Sequence, residues 1–261
     1  MNLIYKYAGK EGVKAILSNE TLKFEKLDSF NDPFEFHPAL VDKVPSQKHI
    51  RSTVERRDGK ISKERRKELK SYFVKKKDVI VKLIKDIFQS QYDSTRICCS
   101  SHSRNHILMR GHYTENHTGA CLVFDKKLIE KDFLQQFSSY ANNVRYTKKI
   151  QTVSINKKDK AIKHLSISKN SIGQYEKEYR IILGFNPNEY QKFSPQSLKQ
   201  IIFGCKTDEI FKTIIINLIQ QKGWQWVAFS EMSVSQTEYK LVEKPIKYVP
   251  SHTLINSKQR I

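Results

Sequence analysis

The chain has 261 residues and a formal charge of +20, from 47 Lys and Arg against 27 Asp and Glu. At 38% apolar and 11% aromatic residues it carries too much core material for a disordered chain, despite a mean hydropathy of −0.59. Nine Gly and seven Pro exclude collagen-like and low-complexity linker proteins, and this length buries a core without disulfides or metal.

The N-terminal segment Leu3-Ile4-Tyr5-Lys6-Tyr7 reads as a strand. After Gly9, Val13, Ile16 and Leu17 recur at helical spacing, and Thr21-Leu22-Lys23-Phe24 alternates like a short strand. Phe30-Asn31-Asp32-Pro33-Phe34-Glu35 contains a turn, because Asn and Asp side chains cap turns and Pro fixes its own φ. Between Lys43 and Lys85, 16 Lys and Arg face five Asp and Glu, a net +11. That concentration would attract phosphate backbones or an acidic protein; a solvated helix face accounts for it equally.

Residues 62–90 predict a long amphipathic helix with Ile80, Leu83, Ile84, Ile87 and Phe88 on one face, inside a basic insertion at 43–90. The expected order after it is strand 95–100, helix 105–116, strand 119–124, helix 126–136, strand 143–147, helix 157–169 and strand 175–185. A strand at 199–203, a helix at 208–221, a strand at 224–229 and a last strand near Tyr239 to Val242 complete it. So many strands favour α+β over a purely parallel wound sheet. The expectation is one domain over 1–243 and a polar tail over 244–261.

Four Cys with no CxxC pair fit a reducing compartment. The opening residues lack a signal-peptide core, and no apolar run reaches a membrane span. The expected location is the cytoplasm, without membrane attachment.

Three groups of residues invite a chemical reading. If Tyr175 to Leu183 is one strand, Glu176, Glu178 and Arg180 share a face, which either meets solvent or lines a cleft that uses carboxylates. Ser100 and Ser101 end a strand, but a serine there with no base nearby is no nucleophile. His102 and His106 would share a helix face, with His112, His117, Cys98 and Cys99 close by in sequence. A metal-dependent nuclease is one use of that cluster; hydrogen-bonded histidines are the simpler one, and no metal is expected.

Taken in order, several of these pieces resemble a bacterial family known as domain of unknown function 2971. They are Ile4-Tyr5-Lys6-Tyr7, the helix through Ile16-Leu17, Phe30-Asn31-Asp32-Pro33-Phe34-Glu35, Leu108-Met109 with His112-Tyr113, and His117-x-Gly119. Tyr175-Glu176-Lys177-Glu178-Tyr179-Arg180 and Ile201-Ile202-Phe203-Gly204 complete the set. Arg110 and Ile172 stand where that family would carry Trp. More distantly, the order resembles the ADP-ribosyltransferase superfamily, with Lys6 at the place of a His on the first strand. That likeness implies a split, mixed or antiparallel β-sheet core with surrounding helices.

The same resemblance implies NAD as substrate. Breaking the nicotinamide–ribose bond develops positive charge on the ribose, which a carboxylate stabilises. Glu178 would do this, Glu176 would orient or deprotonate the acceptor, and Ser100 would support Glu178 through its hydroxyl. Lys6 and Tyr7 would hold the adenylate or diphosphate end. His112 and Tyr113 would meet nicotinamide or simply anchor their helix, and Asn31 and Asp32 would shape the rim or only the turn. Nucleic acid, RNA or DNA, is the first expected acceptor and a protein side chain the second, in a toxin or phage-defence effector with an acidic antitoxin. The alternative is a non-catalytic nucleic-acid-binding module.

Overall fold

The computed structural model describes residues 2–36, 41–42, 77–135, 138–150, 152–154, 158–185 and 187–246, with scattered positions between 62 and 71. Strand β1 (Leu3–Ala8) runs into helix α1 (Lys10–Asn19), whose buried residues are Val13, Ile16 and Leu17, the face its spacing predicts. Glu20, at φ 57°, ends that helix in the left-handed region and turns the chain into β2 (Thr21–Lys23) and β3 (Glu25–Lys26). Then come β4 (Val41–Asp42), α2 (Lys77–Ser94), β5 (Arg96–Ser101), α3 (Ile107–Tyr113), β6 (Ala120–Asp125) and α4 (Lys126–Phe133). Strands β7 (Tyr140–Asn143), β8 (Arg145–Thr147) and β9 (Val153–Ser154) precede α5 (Lys158–Ile167) and β10 (Ser168–Asn170). The chain continues through β11 (Glu178–Leu183), β12 (Tyr190–Lys192), β13 (Leu198–Phe203), α6 (Glu209–Gln221), β14 (Ala228–Val234) and β15 (Leu241–Pro245).

Nine strands form one sheet in the order β15-β14-β13-β6-β1-β5-β11-β7, with β3 added beside β5. Only β13 and β14 run parallel, so the fold is α+β around a mixed sheet. Strand β6 is buried on both faces. Leu122 and Phe124 join the main core with Ile4, Leu17, Ile201, Phe203 and Ile215, while Cys121 and Val123 pack with Tyr7, Met109, Ile202 and Met232. One pairing is weak. Strand β1 holds β6 through six registered pairs but β5 through one, Tyr5 opposite Ser101. The sheet therefore opens between β1 and β5.

Helix α4 starts at a side-chain cap: Asp125 Oδ1 accepts from the N–H groups of Lys127 and Leu128 at 3.0 and 3.2 Å. Asp125→Ala is expected to cost about 1 kcal/mol in denaturant unfolding. Asp125→Asn, which keeps the acceptor, should recover most of that loss.

Four expectations need correction. The segment expected as one strand over 175–185 begins only at Glu178. Asn170 accepts from Ile172 N, Ser171–Glu176 coils as a 3-10 turn, and Lys177 sits at φ 45°. The expected strand 143–147 is two strands, because Val144 turns its N–H to the Glu178 carbonyl; β7 then pairs with β11 and β8 with β10. At 224–229, Trp224 instead bonds back to Ile219 O and closes α6, so β14 starts at Ala228. The last strand continues through Lys244 and Pro245, and Ile246 packs on the main core. Residues 247–261 lie outside the described ones, as does most of the basic insertion. Of the expected 62–90 helix, α2 buries Phe88 against Ala161, Ile162 and Leu165 of α5 with Ile84 beside them, whereas Leu83 is exposed.

Candidate active-site cavity

A cavity of about 290 Å³ lies where β1 and β5 part. Strand β1 contributes Lys6 and Tyr7 to its walls, β5 contributes Cys99 and Ser100, and the turn after β3 contributes Asn31 and Glu35. Helix α3 contributes Met109 and Tyr113; Lys169, Glu176 and Glu178 close the far side. Seven of the nine residues singled out in the sequence thus meet at one cavity. The other two do not line it. Asp32 uses Oδ1 to accept from Phe34 N at 2.9 Å, the turn role its type suggests, and His112 is exposed beside Tyr113.

A buried ion cluster forms the carboxylate wall. Arg180, fully buried, grips Glu178 with a two-pronged fork, Nε to Oε1 and Nη2 to Oε2 both at 2.8 Å, and reaches Glu35 Oε1 at 2.8 Å. The ammonium of Lys169 stands 2.6 Å from Glu176, 3.0 Å from Glu35 and 3.5 Å from Glu178. Glu176 also accepts from the Tyr113 hydroxyl at 3.1 Å. Three carboxylates share two cations, and the consequences differ by group. Burial pushes Glu178 up, but the charge and hydrogen bonds of Arg180, then Lys169, outweigh it and hold the carboxyl at about 2. Glu35 goes the other way: its burial outweighs the pull of Arg180 and raises its pKa. Burial works against the charge of Lys169, yet Glu178 and Glu35 keep its pKa above the usual lysine range. At neutral pH, Glu178 is ionised and fixed.

The wall nearest β1 is cationic. Lys6 donates to Cys99 O at 2.9 Å. Burial opposes its charge, but the neighbouring thiols and the carboxylates of Glu25 and Glu178 raise its pKa and keep it protonated. Tyr7 spends its hydroxyl on Ser103 O at 2.6 Å, so it offers the cavity its ring. Ser100 does not support Glu178. It is paired with Tyr179, so its side chain lies on the face opposite that of Glu178, which pairs with Ser101. The Ser101 hydroxyl instead donates to the Glu176 carbonyl at 2.5 Å and tethers the turn that carries Glu176.

Glu176 and Glu178 do converge, though not as strand neighbours on one face: the 3-10 turn brings Glu176 back to Lys169. Arg180 is the carboxylate partner its alternation suggests. Sequence reasoning missed Lys169, Glu35 and Tyr146, whose hydroxyl accepts from Glu178 N at 2.8 Å. Glu35 lay within a segment already singled out, but a lysine among so many carried no signal.

The histidines do not share a helix face. His102 bonds Asn143 just beyond β5, whereas His106 stands at the residue before α3 and stacks on Tyr175. Among the described residues, no group of three or more His, Cys, Asp and Glu is placed to hold a metal ion. No described helix is long and apolar enough to cross a membrane.

A family model described as "Protein of unknown function (DUF2971)" matches residues 109–181. The match spans Met109, Tyr113, Lys169, Glu176, Glu178 and Arg180, and leaves out Lys6, Glu35 and β5. No curated protein and no solved structure matches the chain. Residues 109–181, which hold the helix, turn and strand that carry the carboxylate wall, are thus similar to the DUF2971 family model.

Proposed function

We propose that the cavity binds NAD and transfers its ADP-ribose to nucleic acid. One observation carries the reading: a protonated lysine on β1 and an ionised, immobile carboxylate on β11 face a common cavity where the sheet opens. A dinucleotide has matching polarity, an anionic diphosphate and a cationic nicotinamide end. The cavity is small for a whole dinucleotide, so one half would sit inside and the rest across the mouth.

Glu178 would stabilise the positive charge that grows on the ribose as the bond to nicotinamide breaks. Because the carboxylate is already ionised and held by Arg180, little reorganisation is needed at that moment. Nicotinamide leaves with the bonding electrons, the acceptor atom forms the new bond to ribose, and Glu176 accepts the acceptor's proton. Tyr113 orients Glu176. An intracellular toxin or defence effector, with an acidic inhibitor suited to a +20 surface, is the setting this activity would fit.

The test is label transfer from NAD to RNA, DNA or lysate protein, together with nicotinamide release. Glu178→Gln should lower both at least about a hundredfold while keeping a hydrogen-bond acceptor for Arg180. Wild-type protein that neither transfers label nor releases nicotinamide removes the reading. A second reading, nucleic-acid binding without catalysis, is favoured by the Arg180 fork that occupies both Glu178 oxygens. It predicts salt-sensitive binding that Glu178→Gln leaves unchanged, with no effect of NAD on melting.

A further inference from the structure

Next to the cavity lies a second depression of about 250 Å³ that shares Lys169 with it. Its lining includes Phe34, the run Thr147 to Ile150, and Lys169. Lys148 and Lys149 are exposed, and among the described residues neither forms an ion pair. Phe34 is 58% exposed and Ile150 66%, side by side with that charge. Among the described residues, no carboxylate lines the depression. A purely structural surface has little reason to display a phenyl ring and exposed ammonium groups together, whereas a polyanion with flat apolar faces needs both.

We infer that this groove seats an unpaired nucleotide strand, with a base against Phe34 and the flanking phosphates on Lys148 and Lys149. The inference deepens the transfer reading by naming where the acceptor lies, and it rests on that reading for its purpose. A depression this size takes about one nucleotide, and a ring can stack only on a base freed from its partner, so the strand is single. Lys169 links the two sites. Its stem borders the groove while its ammonium rests among Glu35, Glu176 and Glu178, so a nucleotide in the groove lies one side chain's length from the carboxylate wall.

Fluorescence anisotropy on the full chain, without NAD, provides the test. The probes are short labelled oligothymidylate, oligouridylate and a duplex of equal length. Both single strands should bind more tightly than the duplex, and the tighter of the two identifies DNA or RNA as the source. Phe34→Ala should weaken single-strand binding about tenfold with an unchanged salt slope. Lys148→Ala with Lys149→Ala should lower the slope of log affinity against log salt by about 1.4. Wild-type affinity and slope in both variants overturn the groove, as does polyglutamate that competes as well as the oligonucleotides. The NAD-dependent melting shift of Phe34→Ala should match that of wild type. If no protein responds to NAD while the groove variants still lose binding, the transfer reading falls and the groove stands.

Discussion

Arg180→Met is expected to destabilise the protein by about 3–5 kcal/mol, because it leaves Glu178 and Glu35 as buried carboxylates without their principal cation. The pH dependence makes the prediction specific. In the wild type, Glu178 titrates at about 2 in the fold against 4.5 for a free glutamate. Its pKa is depressed, so its contribution is present above about 4.5 and is lost as pH falls toward 2, on the order of 3 kcal/mol. Without Arg180, only Lys169 and the Cys99 hydrogen bond oppose burial, the largest single influence, and the same carboxyl is expected to be raised. The sign then reverses: stability is highest in acid and falls as pH rises past 4.5. Compared with Glu178→Gln in the same background, wild type should therefore lose stability from pH 5 to pH 3, while Arg180→Met should gain it as pH falls toward 4.5. Glu178→Gln added to Arg180→Met should recover part of the loss, because it removes one stranded charge. Equal melting of Arg180→Met and wild type at pH 7 would mean that the cluster is not buried as described.

Gly204→Ala should cost about 3 kcal/mol, at the upper end for an overpacked site. A Cβ on Gly204 would lie 2.0 Å from the His117 carbonyl oxygen and 2.6 Å from its carbon, and these backbone atoms cannot swing aside. The contact closes the end of the sheet: Gly204 N donates to Gly119 O at 2.9 Å, and Lys206 N donates to His117 O. His117 itself holds a left-handed backbone at φ 72°. Urea unfolding provides the measurement, with Gly223→Ala as the contrast. At Gly223 nothing lies within 4 Å of an added Cβ, so only the strain of φ +70° is felt. A Gly204→Ala cost no greater than that of Gly223→Ala would show that the backbone contact relaxes.

These two sites show which features could be read early. Gly204 and Glu178 both sit in segments marked by residue order, and the period of two along Glu178-Tyr179-Arg180 correctly pairs a carboxylate with an arginine on one face. Ser100 shows the limit. It and Ser101 are neighbours with the same chemistry, and only the register of β5 against β11 decides which one shares a face with Glu178. A shift of one residue exchanges the faces. The expected strand over 175–185 overlaps the end of the turn at Ser171–Glu176, where the Asn170 side chain offers the backbone a local alternative.

Composition and periodicity alone determined that this is a basic α+β chain, because burial and pleat leave their pattern on every few neighbouring residues. Periodicity carries no information about partners far apart in the chain. Glu35 meets Arg180 across 145 residues, and Lys169 stands out from the many other lysines only because folding sets its ammonium among three carboxylates. The cavity, too, depends on a tertiary fact, the single pairing by which β1 touches β5.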